Sequence, residues 1–309
     1  MTKRRALLFM VFGPPLSGLL AALLVCAAWL VVGLPIPAQG DTWLRLVKLP
    51  PTGQVSFTSG TPTQVQFYLV VGNDASNRGD RGGVGLGDAL HVIGVNPAAR
   101  AATIIDIPRD TSLGGGTKIN AVLGTSGLKA MADTISNFVG VPIKFALTTN
   151  FDDFINMVNE MGGIDLNIQQ PMHDLQNSGS DFEPGPQHVL GDDALKFARD
   201  RHSFSAGDLQ RTENQGVLMI SALQTIQKQN TGPSATLNLL ASLGRHVQTE
   251  NTSIVDLYRL GRLVLTIDPA NIRNVVIPTA AGAGTNLAPG PGIEDLLADF
   301  RDDAILQSH

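Results

Sequence analysis

The chain has 309 residues, 43% of them hydrophobic, enough for one sizeable core plus a membrane segment or for two modest domains. Its formal net charge of −5 provides no general basic field to hold nucleic acid by its phosphates, so an anionic ligand must meet a local basic cluster. The single cysteine, Cys26, excludes an intramolecular disulfide and a thiolate metal site.

At the N-terminus, Lys3, Arg4 and Arg5 precede an apolar run that pauses at Gly13-Pro14-Pro15 and resumes from Leu16 to Leu34 without a charge. At about 1.5 Å rise per residue the second part approaches the hydrocarbon core, roughly 30 Å thick. Residues 1–40 therefore read as a cytoplasmic tail and a transmembrane anchor, N-terminus inside. A cleaved signal peptide is the competing reading, but its apolar region is only about 7–15 residues long, and no A-x-A site follows Leu34. In both readings everything from Asp41 onward is exported. Residues 41–64, rich in Pro, Gly, Ser and Thr, read as a linker in which Val55 and Phe57 are candidates for an entering strand.

The domain proper is expected over 65–309. Val65 to Val71 is nearly all apolar, as in a strand buried on both faces. Ala89 to Val95 and Ala101 to Ile107 read as an antiparallel hairpin turning at Asn96-Pro97. Leu128, Met131, Ala132, Ile135 and Phe138 recur at helical spacing, and Ile143 to Thr148 reads as a strand. Asn150 is a plausible N-cap for a helix over Phe151 to Met161, stopped by Gly162-Gly163, before a strand over Ile164 to Ile168. A polar loop is expected from Gln169 to Gln187. Helices follow over about Asp192 to Arg199, Leu209 to Lys228, Ala235 to Val247 and Ile254 to Leu265, then a strand over Ile272 to Ile277. Interleaved strands and helices around an antiparallel hairpin predict an α/β domain with a mixed central sheet.

Several familiar motifs fail on inspection. Gly114-Gly115-Gly116-Thr117-Lys118 lacks the order of a phosphate loop, no G-x-S-x-G elbow exists, and the histidines show no metal-ligand spacing. What remains is arginine and aspartate at element ends. Asp74 follows the first strand, Asp88 precedes the second, and Arg109-Asp110 follows the third, so the hairpin should bring Asp88 and Arg109 to one sheet edge. Adjacent carboxylates suit a hard divalent cation and a guanidinium suits a phosphate oxygen, although capping and loop salt bridges account for the same residues.

A second cluster runs from Arg199-Asp200-Arg201-His202 to Gly207-Asp208, Arg211 and Gln215. Arg199 and Arg201 cannot share a helix face, so joint work on one ligand requires the helix to end near Arg199. Arg211 and Gln215 do share a face, which continues into Leu218; this stripe matches an amphiphilic lipid phosphate, and equally an ordinary amphipathic helix. Asp208 reads as a helix N-cap.

Taken in order, these strings resemble the LytR-CpsA-Psr family. Phe67-Tyr68-Leu69-Val70-Val71-Gly72-Asn73-Asp74 is similar to its opening strand, Asp88-Ala89-Leu90 stands where its Asp-Thr-Met lies, and Ile107-Pro108-Arg109-Asp110-Thr111 matches its signature. Lys118-Ile119-Asn120, the stretches Met161 to Leu166 and Ala194 to His202, and Gly207-Asp208 with Arg211 and Gln215 continue the match. The resemblance implies an α-β-α sandwich outside the cytoplasmic membrane that transfers a phosphoglycopolymer from a polyprenyl-pyrophosphate carrier to peptidoglycan, with pyrophosphatase as a possible side activity. It implies Asp74 and Asp88 as ligands or near-ligands of Mg2+ or Mn2+, and Arg109 and Asp88 as catalytic residues. Arg109, Arg199, Arg201 and Arg211 would bind the pyrophosphate, with Gln215 orienting a phosphate oxygen.

The chain departs from the family at Leu86-Gly87 and at Asn214, where arginines are usual, and at Asp106, where a small residue is common. Losing two cationic contacts leaves a catalytically weakened glycolipid-binding protein as the rival reading, unless Arg78, Arg81 or Lys118 compensates. A regulatory envelope protein is the third reading, and the absence of a basic DNA-binding surface opposes it.

Overall fold

The computed structural model describes residues 64–75, 85–114, 116–229 and 233–307. The expected anchor over 1–40, the linker, Val55, Phe57, Arg78 and Arg81 lie outside the described residues. Among the described residues no helix is long and apolar enough to cross a membrane.

The strand expected over Val65 to Val71 is β1, Gln66–Asn73, and the hairpin is β2, Gly87–Asn96, with β3, Ala101–Asp106. Asn96 accepts from Ala99 N with its side chain at 3.0 Å, closing the turn. Helix α1, Ala121–Val139, is kinked where Gly127 takes φ 81°. Strand β4, Ile143–Thr149, leads into α2, Phe151–Glu160, which Asn150 caps by accepting from Asp153 N, as its sequence indicated.

The span from Gln169 to Gln187 is not the irregular loop expected. After β5, Ile164–Ile168, it holds β6, Met172–Asp174, and β7, Ser180–Phe182, which pair together, and the start of β8, Gly185–Val189, which pairs with β5. Three-residue strands carry too little alternation to be read from sequence. Then come α3, Gly191–Arg199; α4, Asp208–Gln229; α5, Pro233–His246; β9, Gln248–Glu250; and α6, Ile254–Val264. The chain closes through β10, Ile272–Val276, the short pair β11, Thr279–Ala281, and β12, Leu287–Pro289, and α7, Ile293–Asp303.

The central six-stranded sheet has the order β10-β3-β2-β1-β4-β9. β1 runs parallel to β4 and antiparallel to β2, and β3 runs parallel to β10, so the sheet is mixed as expected. The C-terminal ends of β1, β3, β4 and β10 and the start of β2 consequently meet at one end of the sheet. Open α/β sheets take ligands at strand carboxyl ends, and this end carries the arginines.

Helices cover both faces. On one, Leu69, Val71, Val92 and Ile105 pack with Met131 and Ile135 of α1 and with Leu297 and Phe300 of α7. On the other, Tyr68 and Phe145 pack with Leu263 of α6. A separate apolar cluster joins β5, β8, α2, α3 and Leu218 of α4. Helix α4 therefore belongs both to this lobe and to the sheet it lies against.

Phe300 is fully buried and meets Phe67 edge-on at 5.1 Å between ring centroids. It also fills the space over Gly94, where a Cβ would come within 2.7 Å of the ring. Phe300→Ala is expected to destabilise the domain by about 3–5 kcal/mol, the range for emptying a buried aromatic site; urea unfolding reads this directly.

Candidate active site

At the strand-end edge, Asp74 accepts from Leu86 N through Oδ1 at 2.7 Å while its own N–H donates to the Leu86 carbonyl at 3.1 Å. These two hydrogen bonds fasten the end of β1 to the entry of β2. The register then slips: Gly72 pairs with Ala89 but Asn73 with Gly87, leaving Asp88 as the additional residue of a bulge. A bulge re-aims a side chain at a sheet rim. Here it brings the Asp88 carboxylate to Arg109, whose Nη1 donates to Oδ1 at 2.9 Å, the meeting that the hairpin geometry predicted.

Asp208 joins this pair to α4. Arg211 Nη2 lies 3.0 Å from Asp208 Oδ1, and Arg109 Nη2 approaches the same oxygen at 3.9 Å. The order Asp88, Arg109, Asp208, Arg211 is a chain of alternating charges. Sequence reasoning gave Asp208 only the role of a helix cap; its contact with two arginines depends on a long-range meeting that no local pattern encodes.

The charges are not evenly matched. Burial lowers the basicity of Arg109, but Asp88, Asp208 and Asp110 outweigh it and hold the guanidinium above its ordinary value. For Arg211, only 7% exposed, burial prevails: it lies below its ordinary value, with Asp208 opposing and Arg109 and Arg201 adding repulsion. An arginine still keeps its proton at neutral pH. The Nε atoms of both Arg109 and Arg211 are buried without a hydrogen-bond partner. A buried donor left so costs about 1–3 kcal/mol, and an anion supplies the acceptors it lacks.

The remaining predicted residues are placed as follows. Helix α3 ends at Arg199 and Asp200 is extended, so Arg199 and Arg201 leave a helix end and not a common face. Arg199 is exposed and its guanidinium lies 4.9 Å from the Phe151 ring centroid, at the mouth of β4. Arg201 is exposed and within electrostatic range of Arg211. Gln215 donates Nε2 to the Ala198 carbonyl at 3.1 Å, tying α4 to α3, and its Oε1 is buried without a partner. Lys118 pairs with Asp110 at 2.8 Å. Asn214, 7% exposed, accepts from Gln210 and keeps Nδ2 unpartnered. Leu86 is exposed, whereas a Cβ on Gly87 would press toward Leu90 and Met131.

Asp74 and Asp88 stand at neighbouring strand ends and offer the hard oxygens that Mg2+ or Mn2+ takes. Among the described residues no group of three or more His, Cys, Asp or Glu side chains is placed to hold an ion. An ion there would rest on these two carboxylates alone, with phosphate oxygens and water to complete its shell, as Mg2+ commonly has.

Two buried carboxylates fix the arginine-bearing loop, and sequence reading missed both roles. Asp200, fully buried, accepts from the backbone of His202 and Ser203 at 3.1 Å and from the hydroxyls of Ser180 and Ser203. Asp174 bonds His202 Nδ1 at 2.9 Å and Asn177 Nδ2 at 2.6 Å. Burial pushes the Asp174 carboxyl up, but hydrogen bonds from Asn177, His202 and Ser178 outweigh it and hold it at about 2. Its stabilising contribution is complete above the ordinary aspartate value of about 4 and is lost as pH falls through about 2. Asp174→Asn should accordingly be less stable than wild type at neutral pH, with the gap in melting temperature closing over that acidic window.

The family model of the LytR_cpsA_psr family matches residues 50–289. The polyisoprenyl-teichoic acid–peptidoglycan teichoic acid transferase TagV of Bacillus subtilis (strain 168) is 33% identical over 148 residues, 44% of this chain and 37% of the relative. A TagU transferase of Bacillus cereus is 31% identical over 178 residues, covering 54% of this chain and 56% of the relative. The chain thus spans about half the length of these curated relatives, or less. The crystal structure of B. subtilis TagV superposes with a TM-score of 0.66 at 23% identity, over 80% of this chain and 100% of that one, a likeness of fold.

Proposed function

The chain belongs to the LytR_cpsA_psr family, and on that premise we propose that it is a phosphotransferase moving a phosphoglycopolymer from a polyprenyl-pyrophosphate carrier to peptidoglycan. The names of the related transferases support the substrate class. The observation that carries the reading is the charge chain from Asp88 to Arg211 with two buried, unpartnered Nε donors. We place the reaction at the outer face of the bacterial cytoplasmic membrane, with residues 1–40 as the anchor and the polyprenyl tail lodged against the sheet between its covering helices.

In this reaction an acceptor hydroxyl of peptidoglycan attacks the phosphorus that bears the glycan. A new O–P bond forms, the bridging P–O bond breaks, the hydroxyl proton is lost to the surroundings, and polyprenyl phosphate leaves. Such a transfer requires positioning and charge neutralisation more than a covalent intermediate. Arg109 and Arg211 turn their Nε donors to the diphosphate, and Arg199 and Arg201 hold its outer oxygens. Asp88 and Asp208 keep the Arg109 and Arg211 guanidinium groups in register. Mg2+ or Mn2+, held by Asp74 and Asp88, would neutralise phosphate charge. With water in place of the acceptor, the same site acts as a pyrophosphatase.

A second reading is favoured by one observation: Asn214, a neutral amide, occupies a buried position on the arginine-bearing helix, and the apolar Leu86 is exposed at the rim. On this reading the protein retains the lipid-linked glycan without transferring it. Release of polyprenyl phosphate from a polyprenyl-diphosphate glycan in the presence of Mg2+ separates the two, since a pure binder releases none. For the transferase, Arg109→Ala should lower turnover by about 10²–10³, the scale for removing one donor to developing charge. Unchanged turnover in a folded Arg109→Ala protein rules out the role given to this residue.

A further inference from the structure

His91 of β2 and Asp106 of β3 stand directly opposite one another in the strand register. Their side chains meet at 2.6 Å with exposures of 3% and 0%. The mechanism above uses neither. Burial pushes the Asp106 carboxyl up and Glu213 of α4 adds to this, while His91 and the Asn274 amide of β10 oppose it. Its Oδ2 remains buried without a partner. A polar pair kept at that penalty inside an apolar sheet invites the question of what rests on it.

Helix α4 does. Val276 pairs with Asp106, so Asn274, two residues earlier on β10, shares its sheet face. Asn274 donates Nδ2 to the Glu213 carbonyl at 3.1 Å, within the second turn of α4. The approach is close: a Cβ on Gly216 would lie 1.8 Å from Asn274 Oδ1, so the helix reaches this strand only through a glycine. Arg211 and Gln215 stand on the same turns of that helix.

We propose that His91 and Asp106 are positioning residues, which through Asn274 set the seat of α4 on the sheet and thereby the placement of Arg211 against Asp208 and Arg109. The proposal rests on the transferase reading for its effect on turnover, but not for its effect on the helix. A merely structural role differs in one respect. Replacing a buried polar pair by an apolar pair of similar size restores stability, and with stability a structural role restores everything.

The test compares full-length wild type with His91→Leu, Asp106→Val and the double variant, by thermal melting, by hydrogen exchange of the Asp208–Gln215 backbone and by release of polyprenyl phosphate. Each single variant leaves one buried polar partner and melts lower. The double variant is expected to melt near wild type, yet to exchange about tenfold faster in the first turns of α4 and to turn over about 10- to 100-fold more slowly, as small misplacements do. Gly216→Ala, which lifts the same seat from above, should show the same faster exchange. A double variant with wild-type exchange overturns the proposal whatever the turnover, and so does wild-type turnover in that variant. If wild type releases no polyprenyl phosphate, the transferase reading fails and the exchange measurement alone decides this one.

Discussion

A half-buried guanidinium, Arg109, set against a buried one, Arg211, is the constraint around which the rest of this structure is arranged. Arg109 and Arg211 repel one another, and Arg201 adds to the repulsion; in a medium of lowered dielectric such repulsion is felt strongly. Asp88, Asp208 and Asp110 offset it at Arg109, whereas at Arg211 burial and repulsion outweigh Asp208 and Asp88, and both Nε donors remain without acceptors. These buried donors without acceptors are the unmet demand that the proposed diphosphate would answer. A surface ion-pair network would need no such preparation, because water would supply whatever the pairs lacked.

The fold supplies the geometry from three separate stretches of chain. The antiparallel hairpin brings the entry of β2 beside the exit of β3, and the bulge at Asp88 aims its carboxylate at Arg109. Helix α4 delivers Asp208 and Arg211 from the side, steadied by Asn274 and Gly216 on the sheet and by Gln215 on α3. The loop with Arg199 and Arg201 is fixed from below by Asp200 and Asp174, both buried. Arg211 and Arg199 stand on helices and Arg109 on the turn that leaves β3, while Arg201 sits on the loop that the buried carboxylates brace.

Much of this was legible in the sequence, for identifiable reasons. Long periodic helices such as α1 and α4 declare themselves because one face must be buried, and β1 because its continuous apolar run suits a strand buried on both faces. That Asp88 and Arg109 share one sheet edge followed from hairpin geometry, whereas the bulge that aims the carboxylate at the guanidinium and the opposition of His91 to Asp106 depend on a register that the sequence reading did not assign. Helix α7 could have been found, since Ile293, Leu297, Phe300 and Ala304 recur at helical spacing among acidic residues. Strands β6, β7, β9, β11 and β12 could not, being three residues each. Asp208 was read locally, as a cap, and Asp200 was given no role, because Arg109 and Ser180 reach them from other elements. Gln215 was given to a phosphate oxygen, and its amide nitrogen is bonded to the Ala198 carbonyl.

What matters most is whether the two buried Nε donors are addressed to a phosphate head. A crystal structure of the full chain with a polyprenyl-diphosphate analogue tests this most directly. The expected result is diphosphate oxygens within about 3 Å of Nε on both Arg109 and Arg211, with the isoprenoid tail leading away over apolar side chains. An analogue bound elsewhere, with both donors still lacking acceptors, contradicts it.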